Sequence, residues 1–163
     1  MQEKVAVFPG SFDPFTVGHE SIVLRGLSIF SHVVVAVGYN SSKKNLFSLE
    51  TRIAMIEKIF DAYPNVSVKS YQGLTVDFCK SINAGYILRG LRTASDFEFE
   101  RAIAQVNRMM EGQLESVFLL TSPELTPVNS TIVRDILVHG GDASMFIPKK
   151  IDIADYMGDL NRL

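Results

Sequence analysis

Val5-Ala6-Val7-Phe8-Pro9-Gly10-Ser11-Phe12-Asp13-Pro14-Phe15-Thr16-Val17-Gly18-His19 decides the fold. The four apolar residues from Val5 to Phe8 read as a strand, which Pro9-Gly10 stops. From Gly18 to Phe30 the apolar residues Ile22, Val23, Leu27 and Phe30 recur at near-helical spacing. A strand, a constrained turn and a helix make the first half of a βαβ unit.

The rest of the chain repeats that pattern. His32 to Val37 is a second strand, apolar on both faces as a doubly covered parallel strand requires. Ser48 caps a predicted helix from Leu49 to Phe60, with Glu50 in its first turn. Val66-Ser67-Val68 is a third strand, followed by Gly73 and a helix from Thr75 to Ile82. Tyr86-Ile87-Leu88 is a fourth. Ser95 and Glu98 have capping-box spacing, which predicts a long helix to Met110. Val117 to Leu120 is the fifth strand, and a helix from Ser130 to Val138 ends at Gly140-Gly141. Pro148 predicts the start of a last helix.

Five strands alternating with helices predict an α/β fold. The expected form is a Rossmann-like doubly wound domain, a five-stranded parallel sheet flanked by helices, occupying residues 1–163 as one unit. In such sheets ligands bind beyond the carboxyl ends of the strands.

Composition narrows the partners. A formal charge of −2, with 16 Lys and Arg scattered through 163 residues, gives no global attraction to nucleic acid or anionic lipid. The longest apolar run, Val33 to Val37, is far too short to span a bilayer. The opening Met1-Gln2-Glu3-Lys4 has no secretory pattern, and the lone Cys79 suits a reducing compartment. The expectation is a cytoplasmic protein whose anion sites are local.

The strand ends hold the unusual residues. Gly10 lets a phosphate approach main-chain N–H groups, and Gly18-His19 opens a helix whose first turn attracts anions. Taken alone, Thr16-x-Gly18-His19 is equally a turn with a capping histidine. Lys43-Lys44 follows strand two, and Gly73-Leu74-Thr75 follows strand three. Arg89 and Arg92 follow strand four, with the guanidinium geometry that suits bidentate phosphate contacts. Ser130-Thr131 and Arg134 follow strand five, where ordinary N-capping explains the hydroxyls equally well. Converging on one crevice, these groups suit a triphosphate-sized anion. No H-E-x-x-H zinc site and no G-x-x-x-x-G-K-[ST] loop occurs.

Gly10-Ser11-Phe12-Asp13-Pro14 with Thr16-x-Gly18-His19 resembles the signature of nucleotidyltransferases with an H-x-G-H or T-x-G-H motif. Ile87 to Glu100 is more specifically similar to the phosphopantetheine adenylyltransferase family. So are Ser42-Lys43-Lys44, Gly73 to Phe78 and Glu115 to Leu119. The resemblance implies adenylyl transfer from ATP to 4′-phosphopantetheine, giving dephospho-coenzyme A and pyrophosphate, with Mg²⁺.

It also implies roles for residues. Ser11, Lys43, Thr75 and Arg89 would hold phosphopantetheine. Ser11, Phe12, His19, Gly90, Leu91, Arg92, Glu100 and Leu125-Thr126-Pro127-Val128-Asn129-Ser130-Thr131 would hold ATP. His19 would stabilise the transition state, assisted by Lys43 and Arg92. No protein cage for the metal is expected, because the carboxylates do not cluster, and Asp13 is at most an outer partner. Homohexamer assembly and inhibition by coenzyme A are carried over as expectations. Leu125 and Asn129 depart from the family's commoner tryptophan and serine, Phe99 from tyrosine and Ser11 from threonine. A nicotinate or nicotinamide mononucleotide adenylyltransferase would usually have histidine at position 16. A non-catalytic nucleotide sensor would have no need of His19, Lys43, Arg89 and Arg92.

Overall fold

A parallel strand sandwiched between helices needs apolar side chains on both faces. Strand β2 (His32–Gly38) supplies them with Val33 to Val37, all buried. The computed structural model describes residues 3–40, 42 and 44–160. Around β2 lie β1 (Val5–Gly10), β3 (Val66–Tyr71), β4 (Tyr86–Leu91) and β5 (Glu115–Leu120), in the order β3-β2-β1-β4-β5. Every pairing is parallel, which is the expected α/β architecture.

Alternate strand residues feed two separate cores, as the pleat requires. Ala6, Phe8, Val33, Val35, Val37 and Leu88 pack with Ile22 and Val23 of α1 (Val17–Gly26) and Met55, Ile56 and Ile59 of α2 (Leu49–Ile59). Val133 and Leu137 of α5 (Ser130–Val138) join the same side. Val7, Val34, Ala36 and Ile87 pack with Val76 and Cys79 of α3 (Thr75–Ser81). Helix α4 (Ala94–Met110) follows β4, and Glu100 is its one buried residue. Among the described residues no helix is long and apolar enough to cross a membrane.

Several local expectations are corrected. Strand β1 is not stopped by Pro9-Gly10, because Pro9 and Gly10 stay in register with Ala36 and Val37 of β2. Strand β4 continues through Leu91, because Arg89, Gly90 and Leu91 pair with Phe118, Leu119 and Leu120 of β5. Arg and Gly give little strand signal, so the ladder was hidden in the sequence. Helix α4 is capped by Thr93, whose hydroxyl accepts from Asp96 N at 3.2 Å, and not by Ser95. Glu98 instead pairs with Arg101 at 2.7 Å. The last helix does not start at Pro148. A 3₁₀ helix runs Ile153–Asp159 behind Asp152, and Ile151 and Ile153 are both buried. A two-residue interval fits extended chain, whereas an α-helix would turn the two side chains apart.

The sheet reverses its strand order between β1 and β4. Only Ala6↔Tyr86 and Val7↔Ile87 pair across that boundary, while β1 stays paired to β2 as far as Gly10. Beyond Val7 and Ile87 the two strands part. That parting is the crevice the fold offers to ligands.

Candidate active site

Arg89 bridges the parting. Its Nη1 donates to Pro9 O at 2.6 Å, so a side chain takes over a carbonyl at the end of β1. Its Nε donates to Glu100 Oε2 at 2.8 Å, and Nη2 bonds the other carboxylate oxygen. Gly90, the next residue, admits α1: a Cβ there would stand 2.9 Å from Ile22 Cγ1.

Two cavities open at this point. One, of about 390 Å³, is lined among others by Ser11, Tyr39, Tyr71, Thr75, Arg89 and Asn107. The other, of about 380 Å³, is lined among others by Phe12, His19, Arg92, Asn129, Ser130 and Thr131. Pro9, Gly10, Ser11, Arg89 and Glu100 line both and form a common wall.

His19 stands in the first turn of α1, held by a reciprocal cap. Thr16 N donates to His19 Nδ1 at 3.0 Å, and His19 N donates to Thr16 Oγ1 at 3.4 Å. One side of the half-buried ring packs on Phe12, Phe15 and Phe8 at centroid distances of 5.1, 5.2 and 6.1 Å. Burial, and then the charges of Arg89 and Arg92, push its pKa down to about 3. The imidazole is therefore neutral at pH 7. Because Nδ1 accepts from Thr16, the ring proton sits on Nε2, which makes His19 an uncharged N–H donor.

Arg92 is held by a residue that sequence reasoning missed. Its backbone N and Nε both donate to Asp96 Oδ2 at 3.0 Å, and Nη2 donates to Oδ1 at 3.2 Å. Burial raises the Asp96 pKa, but the bonds from Arg92 outweigh it and keep the carboxyl below its ordinary value. The i, i+4 spacing of the pair was the available signal.

Thr75 Oγ1 lies 2.8 Å from Tyr71 Oη, both at the larger cavity. Asn129 caps α5 by accepting from Ile132 N at 3.0 Å, and Ser130 Oγ donates to Pro14 O at 2.8 Å. Gly90 and Val128 also line the smaller cavity. Leu91 is buried, and Leu91, Leu125, Thr126 and Pro127 line neither cavity. Arg134 donates to Asp13 O at 2.8 Å and to Thr131 Oγ1 at 3.1 Å, so its role here is to brace the first loop. Lys43 lies outside the described residues.

Asp13 lines neither cavity. It is buried, and its carboxylate accepts from Leu46 N at 2.7 Å and Phe47 N at 2.9 Å, joining the loop after β1 to the loop after β2. Among the described residues no group of three or more His, Cys, Asp or Glu is placed to hold a metal ion.

The parted parallel sheet, the histidine at a helix mouth and the paired arginines agree with the class that comparison with known proteins shows, a nucleotidyltransferase. The cytidylyltransferase-like family matches residues 7–136. A bifunctional NMN adenylyltransferase/ADP ribose pyrophosphatase from Francisella tularensis superposes with a TM-score of 0.72 at 16% identity, over 96% of this chain. This chain spans 50% of that protein, and the likeness is one of fold. The phosphopantetheine adenylyltransferase of Flavobacterium johnsoniae is 50% identical over 150 residues, 92% of this chain and 98% of its own. That of Bacteroides fragilis is 47% identical over 148 residues, 91% and 98% of the two chains. The chain belongs to the phosphopantetheine adenylyltransferase family.

Proposed function

We propose that this chain reversibly transfers the adenylyl group of ATP to 4′-phosphopantetheine, yielding dephospho-coenzyme A and pyrophosphate. The observation that carries this reading is the pair of cavities separated by one wall of Pro9, Gly10, Ser11, Arg89 and Glu100. Two phosphorylated reactants in adjoining cavities meet at that wall. We assign ATP to the His19 side, with Arg92, Gly90 and Val128 to Thr131. Phosphopantetheine takes the Thr75 side, with Ser11 and Arg89. Lys43 and the Leu91 and Leu125 to Pro127 positions remain part of the proposed set through the family resemblance.

A phosphate monoester with a second pKa of about 6 is mostly ionised at neutral pH, so its oxygen attacks the α-phosphorus without a general base. The new bond joins that oxygen to the α-phosphorus as the bond to the β-phosphate oxygen breaks and pyrophosphate leaves. What opposes the reaction is repulsion between two anions, and the remedy is aligned donors and positive charge. A neutral Nε2–H on His19 offers a hydrogen bond to developing charge without proton transfer. Arg89 and Arg92 supply charge from guanidinium groups oriented in advance by Glu100 and Asp96.

Those two carboxylates line the ATP-side cavity and already hold arginines. The donor set therefore fits a Mg²⁺ held through phosphate oxygens and water, where it would neutralise phosphate charge. We further assign the protein to the cytoplasm, with coenzyme A as a feedback inhibitor and a homohexamer as its assembly. The exposed Phe97, Phe99, Ile103, Val106 and Met109 of α4 suit a subunit contact.

The test is an ATP-dependent assay with 4′-phosphopantetheine, following pyrophosphate and product mass, with nicotinamide mononucleotide as a second acceptor. Pyrophosphate and dephospho-coenzyme A are expected with the first acceptor only. ATP binding without pyrophosphate release would refute the reading in favour of a sensor.

A further inference from the structure

Arg52 is the largest side chain in the fully buried set, 1% exposed, on an α2 stripe shared with Met55, Ile56 and Ile59. Its Nη1 donates to Ser11 O at 2.5 Å and its Nε to Ser48 O at 3.3 Å. Nη2 has no hydrogen-bond partner among the described residues. Burial pulls the guanidinium pKa down, while the charges of Asp13 and Glu50 pull it up. A buried cation with an unmet donor is a poorer stabilising element than a well-packed apolar side chain. Stability alone therefore does not account for arginine at this position.

The bond to Ser11 O does. The Ser11–Phe12 peptide is trans, so its carbonyl and its N–H point opposite ways. Drawing the carbonyl toward α2 turns the Phe12 N–H away from Arg52. Phe12 has φ +48°, a left-handed conformation that a phenylalanine holds only when its surroundings enforce it. Its ring is fixed against Phe8 at 5.3 Å, Phe15 at 5.1 Å and His19 at 5.1 Å. The side-chain end of this turn is thus held by aromatic packing and the main-chain end by Arg52. Phe12 lines the smaller cavity and not the larger one, and Arg52 lines neither.

We propose that Arg52 is a positioning residue for ATP, fixing from beneath the site the main chain of the Ser11–Phe12 turn. The inference rests on the adenylyl-transfer reading and concerns its triphosphate side.

The experiment uses the purified full chain, Arg52→Met and Arg52→Lys. ATP and 4′-phosphopantetheine affinities are measured separately by calorimetry, alongside turnover and thermal melting. Arg52→Met removes both carbonyl contacts and is expected to raise the ATP Kd at least about tenfold, the scale of one lost hydrogen bond. Arg52→Lys keeps the charge, but one ammonium cannot serve Ser11 O and Ser48 O as a planar fork does. A rise of about threefold or more is expected. Ser11 lines both cavities, so the 4′-phosphopantetheine Kd should also rise, but by less than the ATP Kd, and melting should remain cooperative.

An unchanged ATP Kd in Arg52→Met overturns the proposal whatever its melting temperature, and so does equal weakening of both ligands. Should Arg52→Met fail to melt cooperatively, Arg52→Lys decides, and wild-type ATP affinity in it overturns the proposal. The wild type is measured first. Failure there to bind ATP or form product removes the adenylyl-transfer reading, whereas a competent wild type with insensitive variants removes only the role of Arg52.

Discussion

Acid should destabilise this protein through His19 in a calculable way. In the fold its pKa is about 3, against 6.5 for an unperturbed imidazole. Above pH 6.5 the ring is neutral in both folded and unfolded chains and contributes no slope. Between 6.5 and 3 the unfolded chain takes up a proton that the folded chain refuses, so stability falls as pH falls. At about pH 5 the loss is about 2 kcal/mol, set almost wholly by protonation of the unfolded chain. His19→Gln removes the titrating group and leaves an acceptor for Thr16 N–H, as glutamine does at this position of a capping box.

Urea unfolding of both proteins, followed by circular dichroism at about pH 7.5 and pH 5, gives the difference. Carboxylates common to the two proteins cancel. The stability gap should move by about 2 kcal/mol in favour of His19→Gln on acidification, or about 4–8 °C in Tm for a chain of this size. A gap that moves by less than about 0.5 kcal/mol would mean that His19 titrates normally. The neutral-donor account of its chemistry would then fail.

His19→Ala should lower turnover by about 10²–10³ while the circular dichroism spectrum is retained, and near-normal turnover would remove His19 from the mechanism. Arg89→Ala should weaken 4′-phosphopantetheine more than ATP in calorimetry, and it leaves Pro9 O and Glu100 without their partner. Equal weakening of both ligands would contradict the assignment. Asp13→Ala strips the acceptor from two buried N–H groups and should cost about 2–5 kcal/mol in urea unfolding. A cost under about 1 kcal/mol would show that Leu46 N and Phe47 N find other partners.

The sheet was legible because β2 and the start of β1 are apolar on both faces, a pattern only a doubly covered strand needs. Its carboxyl ends were less so. Arg89 and Gly90 give no strand signal, and only the ladder to β5 shows that they are paired. The expected Pro148 helix failed for a related reason, since a permissive starting residue says nothing of where the following isoleucines must be buried. At the site, the topology rule brought His19, Arg89 and Arg92 to one mouth from their places at strand ends. Arg52 escaped because its partner Ser11 is 41 residues away. A hint was present: Arg52 falls in register with Met55, Ile56 and Ile59, on the helical stripe where a charge is out of place.

Where β1 and β4 separate, one guanidinium closes the frame and lines both cavities. Architecture and chemistry are therefore not free to drift apart at position 89. A chain that changed Arg92 would alter one cavity wall and keep its sheet, but one that changed Arg89 would have to rebuild the end of β1 as well. Fine tuning of affinity in such a scaffold has room at the cavity rims and very little at the seam.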